Sequence, residues 1–266
     1  PRHRNRHEQS QRAGEGGAFV RVSGFVGCAA LVAASASLGA CAENDAGAGP
    51  ENAADEGASD HIALAEPVSD SAIPTMDFDN EQLGAKIEGP VGPEVNASFL
   101  LDGKSYGDIE SYVACPTDIT TCDPKNLPAG TVYTYVHVVT PGLDKGNDEP
   151  FKPNKQVMTV AAADMFTMSL PSTGFSGEAG YSKGQASAAA GPEASFSVKC
   201  KNDRLVFEKL SGETWSTGET ITFYWKSTVP PKGPGEGFAL RADGKVAVGT
   251  GPVPGTPPAG EVKGCA

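Results

Sequence analysis

The sequence predicts an all-β protein, a single antiparallel β-sandwich of the Ig-like or jelly-roll-like kind, placed after a disordered acidic tether. Three observations carry that expectation. From about Met76 onward, short apolar runs alternate with period two, the spacing that turns one face of a strand to a core and the other to water. The dipeptides Asp102-Gly103, Asn202-Asp203 and Asp243-Gly244 separate such runs, and all three suit two-residue hairpin loops. No stretch sustains the i, i+3, i+4, i+7 spacing of a capped amphipathic helix.

Taken in order, the first hairpin joins Asn96–Leu101 to Lys104–Gly107. Thr131–Thr140 reads as a central strand, because Val132, Thr134, Val136 and Val138 oppose Tyr133, Tyr135, His137 and Val139. Both sets are substantially apolar, so both sides should be covered, and His137 is expected as a hydrogen-bonded histidine of the sheet. Further strands are expected near Gln156–Val160 and Met165–Leu170, with a helix-permissive patch at Ser182–Ala190. Ala194–Cys200 alternates cleanly up to the Asn202-Asp203 turn. A two-residue loop there pairs Lys201 with Arg204, Cys200 with Leu205, Val198 with Phe207 and Phe196 with Lys209, and sets Ser197 against Glu208. A slip of one residue would turn one strand's apolar set to water. Thr220–Lys226 places Ile221, Phe223 and Trp225 on one face. The last hairpin joins Phe238–Ala242 to Lys245–Val248. Some eight to ten strands over residues 76–248 suit one sandwich with a sizeable core. Residues 249–266, rich in Pro and Gly, read as an extended tail.

The N-terminal region has a different texture. Residues 1–19 hold Arg2, Arg4, Arg6 and Arg12 and read as a non-native upstream extension or a basic arm, with translation starting at Val20. Arg21 leads into nineteen uncharged residues, 22–40, twelve of them Ala, Gly or Ser. Nineteen residues would just span a bilayer, yet this composition gains little from lipid and no basic stop-transfer cluster follows it. The run ends in Leu38-Gly39-Ala40-Cys41 before an acidic, Gly/Ala-rich stretch. This order resembles the signal peptide and lipobox of bacterial lipoprotein precursors. The resemblance implies removal of residues 20–40, Cys28 included, and a diacylglyceryl group on the Cys41 sulfur. Ala42 stands where an aspartate is associated with inner-membrane retention in Gram-negative lipoproteins, which implies an outer-membrane destination within the cell envelope.

Residues 42–75 carry eight acidic side chains, no Lys or Arg and no aromatic ring. Such a segment buries too little to offset its ordering entropy and is expected to be an extended, disordered linker after Cys41, with His61 solvated in it. Of the chain's 21 basic and 33 acidic residues, 16 and 31 fall in 41–266, a net of −15. That surface repels phosphate backbones and anionic headgroups. Nucleic acid is therefore excluded as a partner, and attachment to the membrane rests on the lipid.

Cys115, Cys122, Cys200 and Cys265 remain after the signal and anchor cysteines are set aside. An oxidising envelope permits disulfides, and four cysteines allow three connectivities. The favoured pairing is Cys115–Cys122, across a compact Pro- and Asp-containing loop, with Cys200–Cys265 pinning the tail. Zinc is not expected, since the spacing is not metal-like and no histidine lies nearby. No cofactor or metal is expected.

Chemistry is sparsely signalled. No G-x-S-x-G, phosphate loop or dinucleotide fingerprint is present. A nucleophile–base arrangement would need His137 in a cleft. Glu208, Glu213 and Glu219 could supply a carboxylate pair for a hydrolase, but solvated surface carboxylates are the simpler reading. Asp144–Glu149 gathers oxygen ligands around Gly146 without the calcium-loop register, and Lys145 interrupts it, so an acidic turn is expected. Trp215, beside the Ser216-Thr217-Gly218 turn, is the candidate ligand contact, since an indole face can stack on a sugar or a partner. The leading expectation is a non-enzymatic envelope lipoprotein whose domain serves protein interaction or surface structure. A glycan- or small-ligand-binding module is second and an envelope hydrolase third.

Overall fold

A computed structural model describes residues 71–92, 94–146, 156–257, 259 and 264–265. The signal segment, Cys41, His61 and the linker up to residue 70 lie outside the described residues, as do positions 147–149 of the acidic turn. The fold is all-β with one short helix, but it is not a two-sheet sandwich. The described strands are β1 (Ser71–Ile73), β2 (Thr75–Asp77), β3 (Leu83–Lys86), β4 (Val95–Leu101) and β5 (Lys104–Pro116). After these come β6 (Tyr133–Pro141), β7 (Ala163–Met168), β8 (Phe175–Tyr181), β9 (Ser195–Lys201) and β10 (Arg204–Ser211). The last are β11 (Ile221–Ser227), β12 (Pro231–Ala242) and β13 (Lys245–Pro254), and helix α1 spans Lys183–Ala190. All thirteen strands belong to one sheet, in the order β1-β9-β10-β7-β12-β13-β4-β5-β6-β11-β8-β2, with β3 paired to β5 beside that path.

The two ends of this path are consecutive pieces of one chain segment. β1 pairs antiparallel with β9, and β2, one residue beyond Pro74, pairs parallel with β8. The segment Ser71–Asp77 therefore bridges the first and last long strands, and the sheet nearly closes on itself as a barrel. Closure removes the open edges that a sandwich must protect. It also corrects the expected tether boundary, because Ser71–Ile73 and Thr75–Asp77 are already strand. Gly180 on β8 marks how tightly the bridging segment lies, since a β-carbon there would collide with the Met76 carbonyl. A short 3-10 turn, Phe78–Asn80, follows β2 and carries the carboxylates that hold α1. Asp77 Oδ1 accepts from the Lys183 N–H at 3.1 Å, and Asp79 Oδ2 accepts from the Gly184 N–H at 2.8 Å. The N-cap Ser182 Oγ accepts from the Gln185 N–H while donating to Asp79 Oδ1 at 2.6 Å. Two first-turn donors of the short helix are thus satisfied by carboxylates at the end of the segment that closes the barrel, and a third by the N-cap Ser182 that Asp79 holds.

The three hairpins form at the expected turns. Asp102, Asn202, Asp203 and Asp243 all have positive φ, with Gly103 and Gly244 completing two of the loops. This is the twist-matched turn geometry that Asx-Gly and Asn-Asp sequences favour. Every pair expected around Asn202-Asp203 is observed, from Lys201/Arg204 to Phe196/Lys209. Two expectations are corrected. Val157 makes only an isolated bridge to Ser105 rather than a strand over 156–160. The tail does not begin at Gly249, because β13 runs to Pro254 against β12. That ribbon holds Pro231, Pro234, Pro252 and Pro254, and register shifts at Pro231/Gly233 and Glu236/Phe238 accommodate residues that cannot donate to a ladder.

The interior is filled by rings from strands both adjacent and distant along the sheet. Phe166 on β7 lies 5.0 Å from Phe223 on β11, 5.8 Å from Phe207 on β10, and 6.1 Å from Phe238 on β12. Phe99 on β4 meets it edge-on at 6.3 Å. Opposite walls of the barrel thus touch through one aromatic cluster, flattening it into sandwich-like layers within a continuous sheet. Cys115 is bonded to Cys122, and Cys200 to Cys265, which is the favoured pairing. Phe166→Ala is expected to cost about 3–5 kcal/mol, the range for removing a buried phenyl ring, read as a lower urea midpoint with an unchanged slope.

Candidate functional site

His137 on β6 is a titratable side chain that is fully buried. Its ring lies 4.3 Å from the Phe238 ring and 5.5 Å from that of Phe166. Trp225 Nε1–H can only donate, and it reaches His137 Nε2 at 3.3 Å. Nε2 is therefore the unprotonated acceptor, and the proton sits on Nδ1, which donates to Ser111 Oγ at 2.9 Å. Both ring nitrogens are used and the imidazole is neutral. Burial pushes its pKa down to about 3. The structure thus places His137 in the sheet core, as the alternation implied, and out of reach of any solvent-borne substrate. The hydrolase reading that depended on it in a cleft is set aside.

Trp215 is a correction. Far from offering a face to a ligand, its indole is fully buried, edge-on to Phe196 at 5.8 Å and 5.7 Å from Phe223. Its Nε1–H donates to the Glu219 carbonyl at 2.7 Å. Glu219 Oε2 accepts from the Ser216 N–H at 2.6 Å, tying the turn down so that the ring is drawn into the core. The loop position suggested exposure, but an apolar surface this large is better buried once its one donor has a partner. Glu219 is committed to that turn. Glu208 bonds Lys199 at 3.0 Å and Arg241 at 3.4 Å, and the Lys199 hydrogen bond holds its carboxyl below the ordinary carboxylate range. Glu208 and Glu219 therefore serve different neighbours rather than one reaction. In the acidic turn, Asp144 Oδ1 accepts from Ser98 Oγ at 3.1 Å, and Lys145 pairs with Glu110. Among the described residues no group of three or more His, Cys, Asp or Glu is placed to hold a metal.

What the sequence reading missed lies on the outside of the barrel. Strand registers align Val206, Thr167, Ala239, Val248 and Leu100 in one rung across β10, β7, β12, β13 and β4. The neighbouring rung aligns Glu208, Met165, Arg241 and Val246. These residues alternate with the inward Phe207, Phe166, Leu240 and Ala247, so they face outward. Leu100 is 42% exposed, Val246 47% and Val248 39%. This face holds a groove of about 420 Å³ whose apolar lining includes Met165, Val206 and Ala239. Lys199, Lys201, Arg204 and Arg241 line it with a single carboxylate, Glu208.

No family model, curated protein or solved structure matches this chain.

The groove is thus read on its own chemistry. Its lining mixes apolar residues with four cations and Glu208, of which Lys199 and Arg241 are already paired with Glu208 and Asp164, and the chain around it has a formal net charge of −12. A local positive field on an acidic surface selects an anionic group, and an exposed apolar rung selects one with apolar side chains. A second groove of about 430 Å³ lies beside the Cys115–Cys122 loop, but Lys86, Glu88, Asp123 and Lys125 give it no charge preference.

The neutrality of His137 has a pH signature. Its pKa is far below the unfolded value of about 6.5, so the unfolded chain binds the proton more readily. The associated stability is complete above the unfolded pKa and is lost as pH falls from there toward 3. Relative to a His137→Gln variant, the native chain should lose about 1.4 kcal/mol of unfolding free energy per pH unit between roughly pH 6 and 4, measured by urea unfolding. A slope shared by both proteins would refute the assignment.

Proposed function

We propose that this chain is a non-enzymatic cell-envelope lipoprotein, anchored through acyl chains on Cys41, whose barrel serves protein interaction through its outer face. The observation that carries the reading is the solvent-facing apolar rung of Leu100 and Val248, set beside the cation-lined groove. With Val246 on the next rung, these side chains make a contiguous exposed aliphatic patch, the kind of surface a partner can cover. The filled interior supports the same reading, because opposing walls meet through Phe166 and its neighbours and leave the outside as the surface for a partner. With Trp215 in the core, the glycan-binding alternative loses the aromatic platform that suggested it. The partner is a protein segment that is acidic and partly apolar.

Two measurements test this. Cys41→Ser is expected to abolish fatty-acid labelling and to release the chain from the membrane fraction; retention in that fraction would remove the anchor from the reading. A photo-crosslinking residue at Leu100, in cells expressing the full chain, should capture a defined envelope protein. Val248→Asp should abolish that capture. A Leu100 probe that captures no protein would overturn the interaction reading.

A further inference from the structure

The chain carries the tripeptide Asp-Gly-Lys twice, as Asp102-Gly103-Lys104 and Asp243-Gly244-Lys245. Each closes a two-residue hairpin loop, β4 to β5 through the Leu101/Lys104 pair and β12 to β13 through Ala242/Lys245. The backbones match, with φ of 51° at both aspartates and of 74° and 72° at the two glycines. Both loops are exposed, and a β-carbon on either glycine would meet nothing within 4 Å. The Lys245 ammonium acts on both carboxylates. Sequence and turn geometry therefore do not tell the two loops apart.

What differs is how each aspartate is held. Asp243 Oδ1 accepts from the Ala161 N–H at 3.1 Å and the Ala162 N–H at 2.9 Å, and Oδ2 accepts from the Ala161 N–H at 3.2 Å. The Asp243 N–H in turn donates to the Ala162 carbonyl at 2.8 Å. Its side chain and backbone are thus clamped to the segment that leads into β7. Asp102 is exposed, and among the described residues its carboxylate accepts no hydrogen bond. The Gly103 N–H lies within the loop, beyond the Leu101/Lys104 pair, so the ladder does not use it. With no side chain on Gly103, nothing shields that nitrogen from the neighbouring carboxyl group.

We propose that Asp102 is a site of spontaneous modification, rearranging to isoaspartate, while the clamp protects Asp243. The Gly103 nitrogen attacks Cγ of the Asp102 carboxyl group. The new N–Cγ bond closes a five-membered succinimide, and the carboxyl hydroxyl leaves as water with the amide proton. Water then adds to one of the two ring carbonyls. Addition at Cγ breaks the N–Cγ bond and restores aspartate. Addition at the main-chain carbonyl breaks the original peptide bond and leaves Gly103 joined through Cγ. One water is released and one consumed, and no other reactant enters. Both reacting groups sit in adjacent residues, so the step is intramolecular, and its rate depends on how freely the carboxyl group swings onto the nitrogen. The product routes the main chain through Cβ and Cγ, adding one atom to a loop whose length sets the β4–β5 register. The rungs nearest it are Leu101/Lys104 and Leu100/Ser105, and Leu100 is the residue that pairs with Val248. The modification therefore alters the exposed rung, but its occurrence does not depend on whether a partner binds there.

The test incubates the purified full chain at neutral pH in water enriched in oxygen-18. Each passage through the succinimide places one heavy oxygen on the residue, read by mass spectrometry of its peptides, and electron-transfer fragmentation separates isoaspartate from aspartate. Label and isoaspartate should accumulate at Asp102 about tenfold faster than at Asp243, the effect of ~1.4 kcal/mol. In urea above the unfolding midpoint the two rates should converge, because the clamp on Asp243 is gone. Asp102→Glu, whose longer side chain would have to close a six-membered ring, should lose the label at position 102 and leave that at Asp243 unchanged. An unlabelled Asp102, equal rates in the folded chain, or a difference that survives in urea would each overturn the proposal.

Discussion

A sheet that nearly closes through this many strands must fill its own interior, and the rest of the structure follows from how it does so. Small closed barrels fill with ordinary side chains, whereas larger ones leave a cavity or a channel unless their walls approach. Here the walls approach. Phe166 on β7 meets Phe223 on β11 at 5.0 Å, although the two strands lie far apart along the sheet. Phe207, Phe238 and Phe99 surround the same ring. A flattened cross-section of this kind packs like two layers while keeping one continuous hydrogen-bonded ladder. It also explains why a histidine can sit at the centre. His137 is admitted there because Trp225 and Ser111 use both its nitrogens and its charge is suppressed. A charged ring in that position would carry a desolvation cost of several kcal/mol.

The closure is made by few residues, and they are pinned from several directions. Ser71–Asp77 contributes three paired residues to β9 and three to β8, too little ladder to hold a barrel seam alone. Asp77 and Asp79 add the helix N-terminus, and Gln185 of α1 in turn accepts from the Thr222 N–H at 2.7 Å. At the other side of the seam, the disulfide from Cys200 on β9 reaches Cys265, 65 residues on in sequence. Nearby on β11, Tyr224 donates to Glu81 at 2.9 Å and packs on Phe78 at 5.5 Å. Each tie is modest. Together they hold Ser71–Asp77 in the seam.

Local structure was legible in the sequence and global connectivity was not, for a physical reason. The Asn202-Asp203 hairpin could be registered to the residue because turn chemistry and period-two alternation constrain the same two strands. Nothing comparable tells β7 that it belongs between β10 and β12, or β8 that its neighbour is β11, since alternation states which face is buried and is silent on the partner. A sandwich and a flattened barrel therefore look alike until the edge strands are paired. The Pro/Gly ribbon of β12 and β13 was hidden for the opposite reason. Its prolines argue against a ladder locally, and only the register shifts and tertiary support admit them. The burial of Trp215 is hidden in the sequence because its place beside a turn suggests exposure, while the partner that satisfies its indole N–H is set only by the folded turn. The outer rung carried a faint signal in Val246 and Val248, which alternate against Ala247, yet its partner Leu100 is brought alongside only by a pairing that spans much of the chain.

Charge also bears on where a partner can bind. The protein repels anions over most of its surface, with a formal net of −12, so an acidic partner approaches against the long-range field and is held only at short range. At physiological salt that long-range repulsion is screened beyond about 8 Å, while contacts inside a groove are screened less. Recognition then depends on the few cations at the groove and on the apolar floor between them. Lys199 and Arg241 already share Glu208, and Arg241 also bonds Asp164 at 2.6 Å. These ion pairs tether both side chains where they line the groove. Such preorganisation lowers the entropy lost on binding. An incoming carboxylate joins a network that is already in place, so the groove selects by shape and apolar match, with charge deciding which ends of a segment settle where.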